Sequence, residues 1–209
     1  MRTHAPDVHQ LRGAPTNAVN VYLVDDVLID AGTPLARRRI LRELRGGPVT
    51  AHVVTHAHPD HFGSSHAICL SLRVPLWCGE RDAEAIEQAR PVVAPGRLPA
   101  LLARGKMPPG HPVDRVLQEG DDVAGFRVLD VPGHSPGHIA LWRVSDRTLI
   151  AGDVFFNLPR LRPPPDALTV DPQANRAAMR RLAELRPRLV LFGHGPPLRD
   201  PERLARVAA

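Results

Sequence analysis

A short apolar segment, residues 51–55, runs directly into a loop that is rich in metal-binding side chains. Its length and its valines predict a buried β-strand. The strand fixes where the loop begins, and the loop leaves its side chains free to converge on an ion. Four of these side chains can bind a metal in the pattern His-x-His-x-Asp-His: His56, His58, Asp60 and His61.

Three more candidate ligands, His134, Asp153 and His194, stand just beyond other predicted strands. Each has a glycine beside it, which lets the backbone turn sharply and approach a site closely. Imidazole nitrogens and carboxylate oxygens suit borderline ions such as zinc, so no cysteine ligand is needed. The spacing in the first loop also suggests two ions, because His56 and His58 can share one ion while the rest of the loop turns toward another.

The periodicity of apolar residues predicts strands and helices that alternate in both halves of the chain, with hairpins in each half. This pattern favours two sheets packed face to face with helices outside, a four-layer αββα sandwich of the α/β class. We expect one domain over residues 1–209. The predicted strands are 19–24, 27–30, 51–55, 74–78, 126–131, 139–144, 148–151 and 189–192, and the predicted helices are 34–44, 63–72, 80–89, 172–185 and one from 201.

The composition of the chain argues against several classes of protein. No apolar run reaches the roughly 18 to 20 residues of a membrane-spanning helix, so we expect no membrane span. Lys and Arg total 27 against 22 Asp and Glu, but the arginines are spread along the chain, which argues against a nucleic-acid partner. Residues 1–11 lack the apolar stretch of a secretory signal. We therefore expect a cytoplasmic protein with a small-molecule substrate, and the oligomeric state is left open.

The order of the ligands resembles the metallo-β-lactamase fold superfamily, whose binuclear hydrolases carry HxHxDH, a distal His, a bridging Asp and a last His. The resemblance extends from residue 19 to residue 200. It implies the αββα fold and two divalent metal ions, with zinc first and iron or manganese as alternatives. By this resemblance one ion is held by His56, His58 and His134, and the other by Asp60, His61 and His194, with Asp153 bridging the two.

The mechanism that the resemblance implies follows from the ions. Two metal ions about 3.5 to 4 Å apart can share a water and lower its pKa toward 7, so that a metal-bridging hydroxide is available at neutral pH. The same ions polarise the bond to be cleaved. Asp153 is then expected to hold the metal pair together and Asp60 to orient the hydroxide, and neither needs to act as a covalent nucleophile.

Two further residues are expected beside the ligands. Asp30 matches a recurring acidic position near the site in this family, and a plain turn residue at a strand end is an equal interpretation. His138 belongs to the sequence Pro-Gly-His-Ser-Pro-Gly-His, which is similar to glyoxalase II. We expect His138 to support the site without binding a metal ion directly.

Differences from other members of this family narrow the range of expected substrates. Class B β-lactamases have a cysteine where Asp153 stands, and acyl-homoserine lactonases usually have a tyrosine where Phe156 stands. The leading interpretation is a short glyoxalase II-like hydrolase that acts on a thioester or related ester. The alternative is a persulfide dioxygenase-like oxidoreductase with one iron, and a lactonase or a phosphodiesterase or nuclease ranks third.

Two arginines and one proline-rich stretch are candidates for handling the substrate. Arg160 and Arg162 follow Asp153 at a distance where glyoxalase II-like enzymes place a basic residue that holds the substrate carboxylate. The competing interpretation is chance, because arginine is abundant throughout the chain. Residues 91–112 contain many prolines and glycines with little periodicity, so they predict either a lid or a passive surface excursion.

Overall fold

The computed structural model describes residues 1–90, 92, 94 and 107–209. Seven strands follow one another in chain order across the first sheet. The first four strands pair antiparallel, and the remaining strands join in parallel, so that their carboxyl ends lie at one edge. The strands are β1 (Arg2–Ala5), β2 (Val8–Gln10), β3 (Tyr22–Val24), β4 (Val27–Ile29), β5 (Ala51–Val54), β6 (Leu76–Gly79) and β7 (Arg115–Leu117).

The second sheet has five strands and is mostly antiparallel, with one parallel pair between its last two strands in the chain. A separate two-stranded hairpin lies between those two strands in sequence. In chain order the strands are β8 (Asp122–Val123), β9 (Phe126–Asp130), β10 (Ile139–Arg143), β11 (Thr148–Ile150), the hairpin strands β12 (Phe156–Asn157) and β13 (Leu161–Arg162), and β14 (Leu189–Leu191). The order across the sheet is β14-β11-β10-β9-β8.

Three of the six described helices begin with a proline, and two of these three also have an aspartate that caps the first turn. Asp171 accepts hydrogen bonds from the backbone of the first turn of the longest helix, and Asp200 caps the last helix in the same way. A proline follows each of these caps, as is usual at a first helical position. The helices are α1 (Arg37–Glu43), α2 (Pro59–Phe62), α3 (Ser65–Leu72), α4 (Glu80–Glu87), α5 (Pro172–Glu184) and α6 (Pro201–Ala208), with short 3-10 turns at Pro34–Ala36 and Asp166–Leu168.

The apolar side chains form three layers of core. Aliphatic side chains of both sheets, such as Val53 and Leu141, fill the space between the sheets. Met179 of α5 packs on the outer face of the second sheet, and Ile40 of α1 and Ile68 of α3 pack on the outer face of the first. The predicted four-layer αββα sandwich is confirmed.

The periodicity of apolar residues does not reveal six of the strands, which are β1, β2, β7, β8, β12 and β13. Each has two to four residues, too few for an alternating pattern to be recognised. The lid interpretation of residues 91–112 falls largely on positions 91, 93 and 95–106, which lie outside the described residues, so it stays a prediction. Within the described ranges, no helix combines the length and the apolar character that a membrane crossing requires.

One buried histidine connects the first sheet to its covering helix. His52 of β5 is fully buried, its Nδ1 donates to the carbonyl oxygen of Leu28 at 3.1 Å, and its Nε2 accepts from the hydroxyl of Ser65 at 2.8 Å. Burial lowers the pKa of His52 to about 4. The imidazole is therefore neutral in the folded protein at neutral pH.

The buried His52 predicts a loss of stability in acid. Because its pKa in the folded protein lies below the ordinary value of 6.5, the unfolded chain binds the proton more tightly, and stability is lost as pH falls from 6.5 toward 4. The free energy of unfolding that is lost over this pH range is on the order of 3 kcal/mol. We expect His52→Gln to flatten this acid dependence in urea unfolding of chelator-treated protein, whereas the control His9→Gln, at a partly exposed position, keeps the wild-type slope. Equal slopes in all three proteins would contradict the assignment.

Candidate metal centre

The seven predicted ligands come from four loops that meet at one edge of the two sheets. The first loop follows β5 and continues into α2, and the other three follow β9, β11 and β14. The loops approach very closely, because a Cβ at Gly193 would collide with the carboxylate of Asp153. Glycine is therefore required beside the last ligand, His194.

The carboxylate of Asp153 lies at the centre of this cluster and is 1% exposed. Its Oδ2 is 3.7 Å from Nε2 of His56 and 3.4 Å from Nε2 of His61, both of the first loop. The same oxygen is 3.4 Å from Nε2 of His134 and 3.1 Å from Nε2 of His194. One carboxylate oxygen thus faces an imidazole nitrogen from each of the other three loops.

The ligand atoms fall into groups of three, in each of which the atoms lie within 4.8 Å of one another. We call the group of His56, His58 and His134 the three-histidine group, and the group of Asp60, His61 and His194 the mixed group. A third group, His56, His61 and Asp153, shares one member with each of them. Two ligand groups joined by one carboxylate are a binuclear-type arrangement.

Asp30 holds the first ligand loop through hydrogen bonds to both of its carboxylate oxygens. Its Oδ2 accepts a hydrogen bond from Nδ1 of His61 at 2.8 Å, which leaves Nε2 of that histidine for the centre. Its Oδ1 accepts from the backbone N–H of Thr55 at 2.8 Å, and the hydroxyl of Thr55 donates to the same carboxylate. Asp30 has a positive φ of 60°, a conformation that aspartate tolerates better than most residues. These contacts join Asp30 to one predicted ligand, His61, and to the residue that precedes another, Thr55.

The last ligand loop is held by Ala18 and Asn20, which the sequence analysis does not identify as site residues. Nδ1 of His194 donates to the carbonyl oxygen of Ala18. The side-chain amide of Asn20 donates to the carbonyl oxygens of Phe192 at 2.9 Å and Gly195 at 2.8 Å. No local pattern signals these contacts, because they join residues more than 170 positions apart.

His138 lies beside the cluster and belongs to none of the ligand groups. Its Nε2 accepts a hydrogen bond from the backbone N–H of Asp153 at 3.0 Å. Its ring stacks on that of His56, with centroids 4.7 Å apart. The side chain of His138 therefore contacts two predicted ligands: it accepts a hydrogen bond from the backbone of Asp153 and stacks on the ring of His56.

Burial and charge divide four of the ligand histidines into two classes by pKa. Burial holds the pKa of His56 well below its ordinary value and lowers the pKa of His58 to about 3. Burial also opposes protonation of His61 and His194, but the carboxylate of Asp153 outweighs it. The pKa of His61 is therefore well above its ordinary value, and that of His194 is raised to about 10. A bound cation would take the place of these protons.

The donor set fits divalent metal ions. Nε2 of His134 and Oδ1 of Asp153 are buried without a hydrogen-bond partner among the described residues. Such atoms cost about 1 to 3 kcal/mol each when left unsatisfied, and coordination to a metal ion would satisfy them. Imidazole nitrogens and carboxylate oxygens without thiolates suit zinc, iron or manganese. The seven side chains therefore form a consistent site for two such ions.

The β12–β13 hairpin borders the cluster and carries the two candidate arginines. The ring of Phe156 lies 4.6 Å from that of His194 and 6.0 Å from that of His134, measured between centroids. Phe156 pairs with Arg162 across the hairpin, so both side chains project from the same face. Arg162 is partly buried, and its Nε has no hydrogen-bond partner among the described residues, whereas Arg160 is exposed in the turn.

The chain belongs to the Metallo-beta-lactamase superfamily, whose sequence profile matches residues 14–194. It is 29% identical to Probable metallo-hydrolase YflN of Bacillus subtilis over 90% of this chain and 84% of that protein. It is also similar to the crystal structure of TTHA1623 in a di-iron-bound form, with 31% identity, a TM-score of 0.70 and coverage of 94% of this chain and 96% of that one. Superfamily membership and the His/Asp cluster identify the chain as a metal-dependent hydrolase with a binuclear-type centre.

A more distant similarity covers only part of each chain. The hydroxyacylglutathione hydrolase of Bdellovibrio bacteriovorus is 28% identical over 53% of this chain, and the match spans 36% of that enzyme. The shared part is thus about half of the present chain and about a third of the relative.

The geometry of the two carboxylates predicts different effects on metal content. Because Oδ2 of Asp153 lies close to imidazoles of both groups, we expect Asp153→Asn to reduce the binding of both ions. Oδ2 of Asp60 lies 3.9 Å from Nε2 of His61 and 3.3 Å from Nε2 of His194, both in the mixed group, so Asp60→Asn should retain one ion. The measurement is metal content per chain after reconstitution and dialysis, with circular dichroism as the control for folding. Equal metal content in the two variants would contradict this arrangement.

Proposed function

We propose that this hydrolase uses two divalent metal ions to cleave an anionic thioester or related ester of a small molecule. The observation that carries the proposal is the position of Asp153, whose Oδ2 lies within 3.7 Å of imidazole nitrogens from both ligand groups. Zinc is the first candidate for both ions. The similarity to a di-iron-bound structure supports occupancy by two ions and keeps iron as an alternative, with manganese third.

The residues of the chain would divide the chemistry between them. Two ions held by these ligands would supply an activated water near neutral pH and polarise the scissile carbonyl. Asp153, which is buried, would hold the ions together. The side chain of Asp60 is 37% exposed, so water can reach its carboxylate, which would orient the attacking water. His138 and Asp30 would keep the ligands in place without touching the substrate.

The position of Arg162 beside Phe156 supports an anionic substrate. Phe156 forms an apolar wall against the rings of His134 and His194, next to the place where the scissile group would lie. Arg162 projects from the same face of the hairpin and has an unsatisfied buried nitrogen among the described residues. A guanidinium in this position can grip a carboxylate through paired charge-assisted hydrogen bonds. The partial similarity to hydroxyacylglutathione hydrolases supports a thioester as the bond that is cleaved.

The proposal is tested by metal content together with substrate turnover. Protein purified without chelator should contain close to two metal ions per chain and should release thiol from an S-acyl glutathione thioester. A mononuclear iron oxidoreductase would instead contain one iron and consume oxygen with a glutathione persulfide. A metal content that never exceeds one after reconstitution, with no thiol release, would exclude the binuclear hydrolase.

The hairpin geometry distinguishes the two candidate arginines. Arg162→Ala should raise the KM for a thioester that carries a carboxylate roughly tenfold or more, because a charge-assisted contact is lost. The KM for a neutral thioester of similar size should change by less than about twofold, since that substrate makes no such contact. Arg160→Ala is the matched control, since its side chain is exposed in the turn, and should affect neither substrate strongly. Equal effects of Arg162→Ala on both substrates would show that this arginine does not recognise charge.

A further inference from the structure

A buried aspartate outside the ligand set joins two of the ligand loops. Asp82 lies in the first turn of α4 and is fully buried. Its Oδ2 accepts hydrogen bonds from the backbone N–H of Ala57 at 2.8 Å and from the hydroxyl of Ser135. Its Oδ1 accepts from the backbone N–H of Gly137 at 2.7 Å. All three partners donate, so the arrangement calls for the carboxylate form, which only accepts.

The partners of Asp82 lie next to specific ligands. Ala57 stands between His56 and His58, and Ser135 directly follows His134. These three histidines are the whole three-histidine group. In the described residues, Asp82 forms no hydrogen bond to the loop of His194, which is attached instead through Ala18 and Asn20.

The packing around Asp82 leaves little room for the loops to move. A Cβ at Gly137 would collide with the backbone of Asp82, and a Cβ at Gly79 would collide with the carbonyl oxygen of Gly137. The start of α4 is thus pressed against the loop that carries His134. The carboxylate of Asp82 therefore holds this loop to the loop of His56 and His58, in addition to the direct hydrogen bond from the backbone N–H of Ile139 to the carbonyl oxygen of Thr55 at 3.0 Å.

We propose that Asp82 is a positioning residue for one metal ion only, the ion of the three-histidine group. The inference rests on the proposed binuclear centre. Hydrogen-bonded residues behind metal ligands typically contribute 10- to 100-fold to metal affinity. Asp82 acts on three ligands through two loops. Its loss should therefore weaken the binding of that ion and leave the binding of the ion of the mixed group unchanged.

The test isolates each ion with a ligand variant. His194→Ala leaves the three-histidine group as the intact one, and His134→Ala leaves the mixed group. Asp82→Asn keeps the size of the side chain and replaces one acceptor with a donor. Zinc affinity, measured by competition with a chromophoric chelator, should fall about 10- to 100-fold on adding Asp82→Asn to His194→Ala. On adding it to His134→Ala, the affinity should stay within about threefold, since its ligands lie outside the contacts of Asp82.

Two controls separate positioning from folding. Asp114→Asn removes a carboxylate that accepts a backbone hydrogen bond from Leu76 at 2.8 Å in the same half of the chain, and it should change neither affinity. Ser135→Ala removes one donor to Asp82 and provides the same comparison, with a smaller fall, if Asp82→Asn does not fold. An equal fall in both backgrounds, or no fall in either, would overturn the proposal. Absence of tight zinc binding in the wild-type protein would instead reject the binuclear centre itself.

Discussion

Burying the carboxylate of Asp153 is the constraint on which the rest of the molecule depends. A buried carboxylate is costly unless charged or hydrogen-bonding partners surround it. Here the partners come from both sheets, because His56 and His61 follow β5 of the first sheet whereas His134 and His194 follow strands of the second. The sheets therefore have to pack with these strand ends at the same edge, and the αββα sandwich is the scaffold that allows it.

The ligands divide their two ring nitrogens between the protein and the centre. Nδ1 of His61 is committed to Asp30, and Nδ1 of His194 is committed to a backbone carbonyl, so in each case Nε2 is left to face Asp153. Nδ1 of His56 lies 3.0 Å from the hydroxyl of Thr55. Fixed ring orientation lowers the cost of assembling a metal site, because few rotamers have to be frozen when an ion binds.

The sequence predicts the layers and the strand ends of this fold better than its long-range contacts and its shortest strands. Ligands that follow buried strands beside glycines can be recognised locally, which is why the positions of His134 and His194 could be named before the structure. Asn20 and Asp82 could not, because their partners are distant in the chain and no period relates them. Short strands such as β12 and β13 were also beyond the pattern, and their register is what separates Arg162 from Arg160.

The bond between His194 and the carbonyl of Ala18 joins points that are 176 residues apart. The three-histidine group draws its ligands from residues 56–134, whereas the mixed group also needs His194 and the closure of this long-range contact. Contacts of high sequence separation form late, since the entropy of closing the loop has to be overcome first. The mixed group is therefore expected to assemble later in folding than the three-histidine group, because its last ligand depends on this long-range contact.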